Sequence, residues 1–128
     1  MSTARSIEVT IAVVEPVLIP EKFLCCMTDV EKLRKIGTIN VRVTEGDFTS
    51  TVRENAMNEF RKVFRPKKAF YFNLRSSRYH PVGNNYPNQR FITDGNELFI
   101  TGMWAYNHLE PCTEMFAKVE YVDDKDHK

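Results

Sequence analysis

The chain has only three cysteines in 128 residues, and two of them, Cys25 and Cys26, are adjacent; the third is Cys112. An odd count with a vicinal pair is a poor disulfide framework. No C-x2–4-C spacing offers the four ligands of a structural zinc site, and His80, His108 and His127 are too scattered to hold a metal. Free thiols, buried or half-buried, and no cofactor are the expectation. Net charge is nearly absent as well: 18 Lys+Arg against 17 Asp+Glu leave +1, so no global field draws the chain onto nucleic acid or a membrane. No apolar run approaches the ~20 residues of a membrane span. The opening Met1-Ser2-Thr3-Ala4-Arg5 lacks the charged-then-apolar order of a signal peptide, which implies a protein made and kept in a cytosol or released by lysis. Nucleophile motifs are missing too. A His80–Glu or His108–Cys112 pair has no Ser, Cys or Asp pattern around it, and the chain is expected not to be an enzyme.

What is present is patterning of period two. At 42% hydrophobic residues the chain can bury one domain's core. Ile7, Val9 and Ile11 alternate with Glu8 and Thr10, a half-buried strand over residues 6–14. Pro16 and Pro20 bracket Val17-Leu18-Ile19 and suit an edge strand or an extended connection. Residues 28–37 are ambiguous: Thr28 and Glu31 have capping-box spacing and Gly37 could close a two-turn helix. Ile39, Val41 and Val43 mark a second strand, ended by a turn at Glu45-Gly46-Asp47. Over residues 51–64, Val52, Ala56, Met57, Phe60, Val63 and Phe64 fall at helical spacing, and a helix there must stop at Arg65, before Pro66. Phe70-Tyr71-Phe72-Asn73-Leu74 has the aromatic content strands favour. Residues 75–89 read as a long loop. Asp94-Gly95-Asn96 between two apolar runs is a strong hairpin signal. Residues 102–111 form another loop, 114–122 a closing strand, and 123–128 a solvated tail.

A Gly-Thr-led strand (Gly37 to Val43), Phe64-Arg65-Pro66-Lys67-Lys68 entering an aromatic strand, a hairpin with Ile92 and Gly95, and a terminal Glu120-Tyr121 follow one another in that order. Over residues 37–122 this resembles the C-terminal head domain of phage receptor-binding and tail-fibre proteins. The resemblance implies an antiparallel β-sandwich or jelly-roll-like head, with residues 1–36 as N-terminal strands or an attachment segment. It implies a homotrimer in a virion, in contact with other virion proteins and with host cell-surface carbohydrate or protein. It also implies extended structure into Arg65-Pro66. The expectation is therefore a strand from Glu59 onward, with a short helix left open at residues 52–57.

The motif residues have architectural reasons. Pro66 removes an N–H where a strand begins, Arg65 can reach carbonyls or a carboxylate, and Gly95 after Asp94 allows a positive φ in the turn. Binding is expected instead on the loops. Tyr79, His80, Asn84, Asn85 and Tyr86 on one, with Trp104 and Tyr106 on the next, are side chains that stack on sugars and bond hydroxyls. Two other readings stay open. One is a capsid-decoration or baseplate protein with no ligand. The other is an OB-like protein holding single-stranded nucleic acid along residues 61–90, where basic and aromatic residues interleave; the neutral net charge argues against it.

Overall fold

The computed structural model describes residues 5–23, 26–83, 89–101 and 109–122. Among them are seven strands and one helix, in the order β1 (Ser6–Phe23), β2 (Cys26–Thr44), α1 (Thr49–Phe64), β3 (Phe70–Ser76), β4 (Phe91–Asp94), β5 (Glu97–Thr101), β6 (Leu109–Pro111) and β7 (Met115–Tyr121). The fold is all-β with a single helix. One sheet has the strand order β2-β1-β7-β3 and the other β4-β5-β6. The ladders are antiparallel except where β1 meets β7, from Ile11 opposite Met115 to Val14 opposite Lys118.

Alternation decides which face is buried. Val9, Ile11 and Val13 of β1, Ile39, Val41 and Val43 of β2, Phe72 and Leu74 of β3, and Ala117 and Val119 of β7 point to one side and are buried. Against them pack Val52, Ala56 and Phe60 of α1 and Phe91, Leu98 and Ile100 of the smaller sheet. The opposite face of the large sheet carries Thr10, Thr38, Asn40 and Lys118, in keeping with the polar half of a period-two pattern. The β4–β5 hairpin falls where Asp94-Gly95-Asn96 placed it: Asp94 faces Glu97 and Gly95 has φ 64°.

Several expectations are corrected. Residues 49–64 form one unbroken helix, so there is no extended chain from Glu59 onward. The local 3.6-residue period holds because it supplies a stripe the sheet can bury. The Phe60 ring lies 4.9 Å from Phe64, 5.0 Å from Phe70 and 5.8 Å from Phe72. The helix ends where Pro66 requires: Arg65 turns left-handed at φ 48° and its N–H donates to the Arg61 carbonyl at 3.1 Å. Residues 28–37 are strand, and Gly37 is no helix cap. It faces Val13 beside a bulge that leaves Ile36 without an opposite residue. A Cβ on Gly37 would lie 2.6 Å from Phe64 Cζ, so the glycine is there to let that ring onto the strand backbone. The first strand does not stop at Val14 but runs to Phe23. Residues 109–111, expected in a loop, pair with β5 as β6. Cys112 is a buried free thiol, whereas Cys26 is exposed.

Candidate functional site

Of the seven candidate binding residues, two lie among the described residues. Tyr79 and His80 sit on the turn after β3; Asn84, Asn85, Tyr86, Trp104 and Tyr106 fall outside them. Tyr79 holds a left-handed backbone at φ 68°, which throws its ring back over the sheet. The ring is 5.2 Å from that of Phe116 and has the Arg75 guanidinium 5.2 Å over it. One face of Tyr79 is thus engaged by its own chain, and its 43% exposure leaves the remainder to solvent.

His80 belongs to a buried polar cluster. Its Nδ1 lies 2.9 Å from Oε1 of Glu110, a carboxylate with no exposed surface. The Ser76 hydroxyl donates to the same oxygen at 2.9 Å and accepts from the N–H groups of Arg78 (3.3 Å) and His80 (3.2 Å). In a nucleophilic triad the imidazole stands between hydroxyl and acid, so that it can take the hydroxyl proton. Here the acid stands between serine and histidine. The arrangement ties the 77–81 turn on the large sheet to β6 on the small one. It does not activate Ser76. Among the described residues no group of three or more His, Cys, Asp or Glu is placed to hold a metal, and no described helix is long and apolar enough to cross a membrane.

The interleaved basic and aromatic residues also meet one another. Arg61 lies 5.4 Å over the Phe70 ring and Arg90 4.4 Å over that of Phe48, as Arg75 does over Tyr79. Each such pair occupies a ring face and a cation that a strand of nucleic acid would need.

The feature that sequence reasoning missed is larger than any loop. β1 and β2 continue together past the core, pairing from Val14 opposite Lys35 to Phe23 opposite Cys26, as a two-stranded arm. Halfway along it, opposite Leu18, Glu31 meets Lys118 of β7 at 3.1 Å. Cross-strand ion pairs stiffen the arm: Lys32 with Glu21 at 3.2 Å, and Arg34 with Glu15. Yet it presents apolar side chains on both faces. Leu18 and Met27 are each 67% exposed, and Ile19 and Leu33 about 40%. A two-stranded ribbon is marginal by itself in water, and exposed apolar residues grouped on one mark a surface meant to be covered. The signal in the sequence was the apolar Val17-Leu18-Ile19 between two prolines. The bulge at Ile36 hid its partner strand, because it shifts the alternation of β2 by one residue.

Comparison with known proteins adds no identity: no family model matches the chain, and no curated protein or solved structure matches it.

Proposed function

We propose that the chain is a non-enzymatic structural protein of a phage virion, of the decoration or baseplate kind, and that it holds its neighbours through the β1–β2 arm. The virion setting rests on the resemblance carried by Phe64-Arg65-Pro66 and the Gly95 hairpin. The structural role rests on one observation, the arm with Leu18, Met27 and Leu33 exposed. Host attachment through a fibre head is the second reading. Of its candidate contacts, Tyr79 packs on Phe116 and Arg75, and His80 adjoins Glu110, which favours architecture over ligand at both positions.

The test compares the mass in solution of the intact chain with that of a variant in which residues 18–31 are replaced by an Asn-Gly turn, closed by the bonded pair Val17 and Lys32. The intact chain should associate, and the shortened one should sediment as a single chain, lighter than the 14.9 kDa of one intact chain. An intact chain that stays monomeric at high micromolar concentration, or that binds single-stranded oligonucleotides in a salt-sensitive way, would refute the proposal. Mass spectrometry of purified particles should find the chain in the virion.

A further inference from the structure

We propose that the open edge of the arm is paired with a second copy of this chain, joined through β2 about a twofold axis with Leu33 opposite the partner's Leu33. This rests on the assembly role of the arm proposed above and adds the edge, the register and the stoichiometry.

The edge follows from which backbone groups are already used. Glu45 N–H donates to the Arg5 carbonyl at 2.7 Å, so in this antiparallel ladder the odd-numbered residues of β1 bond to β2 and the even-numbered ones point away. The Thr44 N–H, turned outward by the same rule, donates to the Asp47 carboxylate at 2.9 Å. Pro16 and Pro20 are both even. Their nitrogens therefore fall on the outer edge of β1, where a missing N–H blocks pairing with another strand. β2 has no such protection. Past the bulge at Ile36 its outward residues become Lys35, Leu33, Glu31, Asp29 and Met27, each with its N–H and C=O on the open edge and no proline among them. The far edge of the large sheet is closed differently: the turn after β3 folds back on it, with Ser76 N–H donating to the His80 carbonyl at 2.9 Å and Val82 N–H to the Leu74 carbonyl at 2.8 Å. Among the described residues, the arm segment of β2 is the long edge left both open and able to bond.

Charge selects the register and the occupant. A twofold axis normal to the sheet pairs outward residues with outward residues. Centred on Leu33, it places the partner's Lys35 beside Glu31, whose carboxylate already takes Lys118 of its own chain at 3.1 Å and has a second oxygen to accept with, and Lys35 beside the partner's Glu31, flanking an apolar Leu33 pair. Centring on Glu31 would oppose two carboxylates instead. The cations on the other face, Lys32 and Arg34, already have Glu21 and Glu15 beside them. The chosen register closes about six main-chain hydrogen bonds and two ion pairs. The exposed strand of a copy of itself is thus the ligand whose charge matches.

Leu33→Pro is the discriminating variant. The Leu33 N–H points away from β1, so proline leaves the chain's own hairpin intact and removes a bond only across the proposed interface. Intact protein should sediment as two chains and L33P as one, with unchanged circular dichroism. In a C25S/C26S background, Leu33→Cys should oxidise to a covalent dimer, whereas Lys32→Cys, whose side chain lies on the other face, should not. Lys35→Glu, which leaves the Glu31–Lys118 pair in place, should weaken association on the order of tenfold by opposing the partner's Glu31, and adding Glu31→Lys should restore part of it. Dimerisation that survives L33P, or a mass of three chains, overturns the proposal. If shortening the arm releases the neighbours and L33P does not, edge pairing falls while the arm-based role stands. If the intact chain is monomeric, both fall.

Discussion

Gly37 offers the sharpest test of how the helix is seated on the sheet. A Cβ added there would stand 2.6 Å from Cζ and 3.2 Å from Cε2 of Phe64, where ordinary contact needs about 3.5–4.0 Å. Phe64 would have to withdraw by roughly 1 Å. It cannot do so freely, because its ring stacks on Phe60 at 4.9 Å and Phe60 is fully buried. Overpacking of this kind costs about 1–3 kcal/mol. Against it stands the lower conformational entropy of an unfolded chain with alanine, about 0.5–1 kcal/mol in favour of the variant. Gly37→Ala should therefore lose about 0.5–2 kcal/mol in a urea titration with unchanged m-value. The sign reverses when the ring is removed. In a Phe64→Ala background the same substitution meets no ring and should be neutral or stabilising by up to about 1 kcal/mol, so the two changes should couple by about 1–3 kcal/mol. Additivity within about 0.5 kcal/mol would refute the contact and, with it, the reason given for glycine at this position.

Two further predictions concern buried groups. Ser76→Ala removes a hydrogen bond to the fully buried Glu110 carboxylate and should cost about 1–3 kcal/mol. Glu110→Ala should cost about 3–5 kcal/mol, and the double variant should cost less than the sum, because both lose the same bond. Burial, with the Glu110 charge adding to it, pushes the Cys112 thiol above its ordinary value of 9.0. The folded thiol stays neutral while the unfolded one ionises. Its contribution to stability is therefore complete below pH 9 and is lost as the pH rises through the higher folded value. Cys112→Ala should flatten the decline in stability above pH 9, and a thiol reagent should label Cys26 in the folded protein but reach Cys112 only in urea.

Local signals read well wherever the chain settles its own conformation. Asp94-Gly95-Asn96 between two apolar runs placed β4 and β5 without any distant contact, since a positive φ at Gly95 and a two-residue loop are properties of the turn itself. The pattern Ile39-Val41-Val43 marked a buried face. Residues 49–64 show the opposite case: their 3.6-residue period was plain in the sequence, and the family likeness pulled the reading toward extended chain. The binding candidates divide for a different reason. Tyr79 and His80 are residues suited to meeting a sugar, but a left-handed turn and a buried carboxylate from a strand thirty residues away direct them toward their own fold.

From sequence alone came the class of the fold, the absence of a long apolar span, the hairpin turn and the stop of the helix at Arg65. Each depends on the residue and its immediate neighbours. Tertiary structure decided the rest. Ile36 and Gly37 lie in a strand because Phe64 needs a bare backbone to pack on, and Glu110 is buried because Ser76 and His80 reach it from the other sheet. The arm exists because two strands keep their ladder after the core has run out. Alternation reports which side chains are apolar. It cannot report that nothing among the described residues covers Leu18 and Met27.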